Sequence, residues 1–571
     1  MNPSRDLYAS LALSYVPHLT QLVDRNPYSP TYGCFDREYW HYRTLDFPCG
    51  MSQEFVLPFA LLFVRDYPGN RFYQWERLRE IAIAGMRFAV KGSHRDGSCD
   101  DYFPFEQAMG ALAFSTYAMT EAYQRLGLDD GALVEFFRKR GRHLIRHNET
   151  GRLSNHQAIA ALAAYNIFRI TGDEAFRHCA EERMELALSW QNKEEGWFQE
   201  YEGADPGYHT CSIDFLAKLH QKSAQAGKPY DGLIAPLVKA VEFAWYFMHP
   251  DGSYGGEYGS RNTYHFYPHG FELMAAHSEK AGQIADQFLR GAAGGTRYHN
   301  DDDRMVCHCV YNWLQAWEDY HPRRPATPLN ARAPFLQWFP AAGMAICKTD
   351  NYYAVANLNK GGVLKVYGAP DRPAPDAPDP GEGSAGHRAG PNGATRRDVC
   401  CTGSDTGLIG ELDNGGVIVT HLMDAQHRVT AYPERGVFVV EGVFSRRRSK
   451  LNSPVRMILF RLVNITVGRF FPNLLRAAVQ KLLITGKKRL PWRFRRTLRF
   501  DPDAVRIADE IPGPIPLRRL SAGSDATSIY VANSNVYQES VLRVPWTHAP
   551  AEIVEQARSH AALWEREIKG R

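Results

Sequence analysis

Between residues 7 and 320 the chain repeats one pattern about a dozen times: apolar residues three or four apart, then a short loop marked by Gly, Pro or Asp. That spacing lays a hydrophobic stripe along a helix and obliges each helix to bury it on a neighbour. The runs fall at 7–23, 57–64, 78–90, 107–126, 133–145, 158–170, 175–190, 213–220, 233–247, 270–276, 281–289 and 306–320. Loops such as Thr171-Gly172-Asp173 and His249-Pro250-Asp251-Gly252 leave little room for other structure. About twelve helices on loops this short predict helix pairs closing into an (α/α) toroid, with a linear solenoid as the alternative. No sequence period accompanies the pattern, so the repeat is one of structure.

After residue 320 the period changes. His321-Pro322-Arg323-Arg324-Pro325 reads as a linker, and short β-rich runs follow at 344–348, 352–357, 362–367, 416–422, 429–432 and 436–444. Asp413-Asn414-Gly415-Gly416 is a hairpin signal. Residues 369–396 are rich in Pro, Gly and Asp and read as a mobile loop. At 571 residues the chain exceeds one ordinary core. The expected division is a helical domain over 1–325 and an antiparallel β-sandwich over 326–571.

Net charge is only +4, but sixteen lysines and arginines lie between Arg446 and Arg499 with no acidic residue among them. The rest of the chain is therefore acidic, and a partner local to the basic stretch is expected. Within it, 471–484 (FPNLLRAAVQKLLI) has the pattern of an amphipathic helix. It suits contact with an anionic membrane surface or polymer, or a helical insertion packed on the sandwich with solvated arginines. No eighteen-residue apolar run exists, so no membrane span is predicted. The first 25 residues lack a signal-peptide pattern, and the ten cysteines are scattered, so reduced thiols in a cytoplasmic protein are expected. His308 between Cys307 and Cys309 is a weak metal candidate; no metal or cofactor is assigned.

Three loops concentrate polar groups that a helical core does not need. Ser154-Asn155-His156-Gln157 opens a helix, with Ser154 as its cap. Gly207-Tyr208-His209 follows the aromatic, acidic stretch from Gly196 to Glu202 and precedes the next helix. The loop 254–269 (YGGEYGSRNTYHFYPH) holds Arg261, Asn262, Tyr264, His265, Tyr267 and His269. In a toroid, loops before alternate helices line one cleft. Tyr, His, Asn and Arg there supply two proton carriers and donors for an anion.

The helical half, the β half, Asn155-His156 and a tyrosine some fifty residues later together resemble the heparinase II/III and alginate lyase type of polysaccharide lyase. The stretches GWFQEYEGADPGYHTCSIDFLAKL, up to Leu219, and NYYAVANLNKGGVLKVY, from Asn351, are similar to corresponding stretches of that family. The resemblance spans residues 30–440. It implies an incomplete (α/α) toroid followed by a β-sandwich, an α+β multidomain fold. It also implies cleavage of a uronic-acid polymer, glycosaminoglycan-like or alginate-like, by β-elimination. On that reading Asn155, helped by Arg261, neutralises the substrate carboxylate. Tyr208, with its pKa lowered by cations, and His156 carry protons in an order set by sugar stereochemistry. Trp40, Tyr42, Trp197 and Tyr264 are candidates to stack on sugars. The family carries a histidine after its first sandwich strands; here Asn359-Lys360-Gly361-Gly362 stands there, leaving Lys360 or His265 as substitutes. The implied partner is an anionic polysaccharide and not nucleic acid.

Three other functions fit the same residues. A uronate C5-epimerase shares the proton abstraction. A glycoside hydrolase needs two carboxylates, for which Asp100, Asp101, Glu106, Glu200 and Asp214 are available. A non-catalytic protein of glycan binding or assembly needs only the basic and aromatic surfaces.

Overall fold

The computed structural model describes residues 4–296, 303–368, 401–447, 453–481, 486–526, 528 and 542–570. Fourteen helices occupy the first part among the described residues: α1 (Asp6–Ser14), α2 (Val16–Leu22), α3 (Arg37–Trp40), α4 (Val56–Val64), α5 (Glu76–Gly92), α6 (Met109–Arg125), α7 (Gly131–Arg146), α8 (Ser154–Thr171), α9 (Glu174–Ser189), α10 (Pro206–Gln225), α11 (Ile234–Ala244), α12 (Pro268–Met274), α13 (Glu279–Ala293) and α14 (Val306–Glu318). The run at 7–23 is two helices, because Pro17 belongs in the first turn of a new helix.

The even-numbered helices from α4 to α14 pack each on the next, and α14 returns to α4, so the chain closes a ring. Sequence explains which helices lie inside. α6 and α8 are apolar or small nearly all round and are buried nearly all round; α10 is buried over most of its length, with Asp214 and Lys218 paired inside it. α5, α7 and α13 carry charge on one face, bury the other and lie outside. The segment read as a linker is pinned: Arg324 is ion-paired with Glu272 at 2.6 Å and with Asp286.

A two-stranded hairpin, β1 (Gln199–Glu200) and β2 (Gly203–Ala204), interrupts the helices. Then come β3 (Phe335–Phe339), β4 (Met344–Lys348), β5 (Tyr352–Asn357), β6 (Val363–Gly368) and β7 (Cys401–Asp405), an antiparallel sheet in chain order. Alternate residues of this sheet face opposite sides. Met344, Ile346, Tyr353, Val355 and Val363 join the core of the helices, while Ala345, Cys347, Ala354, Ala356 and Leu364 join a second core.

That second core is closed by a larger antiparallel sheet. Its strands are β8 (Leu408–Leu412), β9 (Val417–Val419), β10 (Arg428–Tyr432), β11 (Val437–Arg446), β12 (Arg489–Phe500), β13 (Ala504–Pro512), β14 (Leu517–Ala522), β15 (Thr547–His548) and β16 (Ala561–Lys569). The order is β15-β14-β8-β9-β11-β12-β13-β16, with β10 on β11.

The basic stretch is not one insertion over 446–499. Its last part is β12, held between β11 and β13. Arg496 there is fully buried, with a two-pronged bond to Asp509 at 2.7 and 2.8 Å and a contact to Asp405 at 2.8 Å. The inserted element is shorter: α15 (Pro454–Val463) and α16 (Pro472–Gln480), between β11 and β12. The stretch 369–396 and residues 482–484 lie outside the described residues. No described helix is long and apolar enough to cross a membrane.

Candidate active site

The inner helices bring their N-terminal ends to one end of the ring. Gly110, in the first turn of α6, lies against His156 in the first turn of α8: a Cβ at Gly110 would stand 2.6 Å from His156 Cε1. Tyr208, in the first turn of α10, stacks edge-on with His265, ring centroids 4.7 Å apart. The Tyr267 hydroxyl is 3.0 Å from His308 Nδ1 in the first turn of α14, and His308 Nε2 is 2.9 Å from Glu54, just ahead of α4. Helix N-termini present the positive ends of their dipoles, so this end of the ring gathers positive potential.

Two buried acids organise the cluster: Glu200, named from the sequence only as one of five candidate hydrolase carboxylates, and Asp205, not named there at all. Glu200, on β1, accepts the Asn155 backbone N–H at 2.9 Å and its Nδ2–H at 2.8 Å. The same carboxylate pairs with Arg261 Nη1 at 3.2 Å. Arg261 lies over the Tyr208 ring, Cζ 3.8 Å from its centroid, and over Tyr201 at 4.9 Å. Asp205 caps α10 by accepting the Tyr208 N–H at 3.0 Å, and it also accepts the Arg261 N–H at 2.8 Å and the Thr263 hydroxyl. One carboxylate thus fixes the tyrosine and the arginine above it. Asp205-Pro206 is the sequence signal for this helix start; with it, α10 begins seven residues before the expected run at 213–220.

The charges follow from burial and pairing. Burial pushes the Tyr208 phenol above its ordinary range; Arg261 pulls it down by less. The expected lowering therefore does not occur, and the hydroxyl is protonated near neutral pH. Burial raises the Glu200 carboxyl, opposed mainly by Arg261. Burial also raises Glu149, but the hydrogen bond and charge of His156, with Arg476, win and hold it at about 2. Glu149 is therefore ionised, and its carboxylate accepts the His156 Nδ1–H at 2.8 Å, which leaves Nε2 outside that bond. Burial and the neighbouring Asp101 push Glu106 up to about 8. Four of the six described non-glycine residues with left-handed backbone surround this cluster: Phe105, Gln107, Tyr201 and Asn262. Such strain collects where surrounding structure holds a site in shape.

The structure brings Asn155, His156, Tyr208, Arg261 and His265 to this end of the ring. Asn155 is fully buried and its Nδ2 is engaged by Glu200, while its Oδ1 has no partner. Ser154 does not cap α8; its hydroxyl donates to Gln199 O at 2.8 Å. The other expected contacts lie elsewhere. Trp40 Nε1 donates to Leu22 O at 2.7 Å, at the end of α2. Trp197 Nε1 donates to Glu195, which accepts from the β3–β4 turn at Ala341 and Ala342. Tyr264 is bonded to Glu257 and Lys365. Lys360 is buried with its ammonium on Glu257 O, Gly259 O and Asn262 Oδ1, where burial lowers it to about 7. It clamps the loop that carries Arg261. Side-chain polarity alone gave no direction for any of the four.

His308 has both ring nitrogens in hydrogen bonds, although Glu54, Cys307 and His308 lie close enough to share an ion. The nine described cysteines are free and buried. Of the candidate hydrolase carboxylates, Asp214 pairs with Lys218 at 2.7 Å and Asp100 with His94 at 2.9 Å.

No protein-family model matches the sequence, and no curated protein matches it. Among solved structures, the chain is similar to the chondroitin AC lyase of Streptomyces coelicolor A3 in complex with chondroitin sulphate, with a TM-score of 0.51 and 10% identity over 91% of this chain and 68% of that chain. A heparinase III structure matches with a TM-score of 0.44 and 11% identity over 83% of this chain and 64% of that chain. At such identity, what the chain shares with the chondroitin lyase is its fold.

Proposed function

We propose that this protein cleaves a uronic-acid-containing anionic polysaccharide by β-elimination. The observation that carries the reading is the cluster Asn155–Glu200–Arg261–Tyr208 at the N-terminal ends of the inner helices. The C5 proton of a uronate is weakly acidic until its carboxylate is neutralised. Arg261, whose Nε has no partner, together with the helix N-termini, meets that charge. His156, oriented through Nδ1 by Glu149, takes the C5 proton on Nε2. Tyr208, protonated, gives its proton to the departing glycosidic oxygen, and Arg261 above its ring stabilises the transient phenolate. The same fold in a chondroitin AC lyase supports the substrate class.

The test is incubation with chondroitin, heparin, heparan sulfate, hyaluronan and alginate while following the ultraviolet absorbance of the C4–C5 double bond. Tyr208→Phe should abolish the rise, a loss of about 10²–10⁴-fold, with the fold intact. A native chain that cleaves none of these polymers, or a Phe variant as active as the native one, overturns the reading. Glu106 favours a second reading: a carboxyl held at about 8 suits the general acid of a glycoside hydrolase. Chain shortening without the double bond would select it.

A further inference from the structure

The chain exposes few large apolar side chains except in one place. Of twenty-two exposed large hydrophobic residues among the described ones, eleven lie between Val455 and Leu474. They include Ile458, Leu459 and Leu462 on α15, and Phe470, Phe471 and Leu474 at and beside the start of α16; Phe470 is 70% exposed. No described residue of either helix is buried. A surface of this kind on a folded chain marks an interaction site.

The inner side of the same element fixes its orientation. Arg461 pairs with Asp46 at 3.1 Å, and Phe460 packs edge-on with Phe103, ring centroids 5.6 Å apart. Arg476 donates to Glu106 O at 2.6 Å, and Thr150 donates to Gln480 at 3.0 Å. The two helices therefore lie on the loops beside Glu106, Glu149 and His156, at the end of the ring that holds the cluster, and turn their apolar side outward. The element also carries the exposed cations Arg456, Arg469 and Lys481, of which Arg469 lies over the Phe105 ring at 5.6 Å, on a stretch without an acidic residue from Arg446 to Arg499.

We infer that α15 and α16 form a docking element for an anionic lipid bilayer. The apolar side chains enter the interface between headgroups and acyl chains, and the surrounding cations meet the lipid charge. Charge complementarity decides the occupant. A second copy of this chain would bring the same cations against each other, and a neutral apolar partner would offer them no opposite charge. Docked this way, the protein turns the Asn155–Tyr208 end of the ring toward the membrane. The inference does not depend on the reaction proposed above.

Sedimentation with sucrose-loaded vesicles tests it on the full chain. The native protein should pellet with vesicles of mixed phosphatidylcholine and phosphatidylglycerol, should pellet at least about tenfold less with phosphatidylcholine alone, and should be released as salt rises. The triple variant Leu459→Ser, Phe470→Ser, Phe471→Ser should lose binding with an unchanged circular dichroism spectrum, as its targets are exposed. Arg456→Glu with Lys481→Glu should weaken anionic-vesicle binding by about tenfold. No binding by the native chain, or equal binding to neutral and anionic vesicles, overturns the inference. So does a native dimer in sedimentation velocity that the triple variant dissociates, since a second copy would then cover the face.

Discussion

Asp205→Ala tests whether one carboxylate holds the tyrosine and the arginine together. Asp205 is fully buried and accepts three hydrogen bonds: from the N–H of Tyr208, the N–H of Arg261 and the hydroxyl of Thr263. Losing the helix cap costs about 1 kcal/mol. The other two donors are left buried, at about 1–3 kcal/mol each. The sum is about 3–7 kcal/mol, and a water entering the vacated space brings it toward about 3 kcal/mol. Urea unfolding followed by far-ultraviolet circular dichroism reports mainly the helices, where the loss belongs. Asp205→Ser is the control: its hydroxyl restores the cap and recovers about 1 kcal/mol, but does not reach the Arg261 N–H. Polymer cleavage should therefore stay lost in the Ser variant. A loss below about 1 kcal/mol in Asp205→Ala, or full activity in Asp205→Ser, would refute the reasoning.

Four further outcomes follow from the contacts described. Gly110→Ala places a methyl 2.6 Å from the His156 ring and should reduce cleavage while leaving the α6–α8 packing cooperative, checked by product absorbance alongside thermal melting. Asp509→Ala leaves Arg496 without its two-pronged partner in the core between the sheets and should destabilise the protein by about 3–5 kcal/mol, read from unfolding in urea. Phe215→Ala removes a fully buried ring that meets Phe114 and Tyr267 edge-on and should cost about 3–5 kcal/mol in the same helix-monitored unfolding. Glu149, held at about 2, lies below the ordinary glutamate value of about 4.3, so its stabilising contribution of about 3 kcal/mol is full above that value and fades as pH falls toward 2; Glu149→Gln should therefore flatten the fall in stability between about pH 4 and 2.

Helical periodicity was legible because outer helices such as α5, α7 and α13 carry charge on one face only. The strand at 344–348 was legible from its apolar run between turns. β12 was not, because its arginines drew attention to charge. Its alternation is plain once paired: Phe494, Leu498 and Phe500 face the second core, and Arg496 shares their side only because Asp405 and Asp509 are there to meet it. Asp405 lies far away in sequence, and Asp509 is brought opposite Arg496 only by the register of the next strand. In the cluster, residue types pointed to Asn155, His156, Tyr208 and Arg261. Of the two acids that join them, Asp205 passed as an ordinary loop acid and Glu200 was named only as a candidate hydrolase carboxylate. The aromatic count gave no direction to Trp40 or Trp197, whose indoles turn to backbone and carboxylate partners elsewhere.

The five strands from β3 to β7 have no water-facing side of their own: one surface completes the helical core and the other completes the core against the larger sheet. Neither half of the molecule can therefore be cut away without stripping a wall from the other. Separated at the pinned segment near Arg324, each piece would present a broad greasy surface and clump. The two halves are bound to melt together and to be inherited as a single unit.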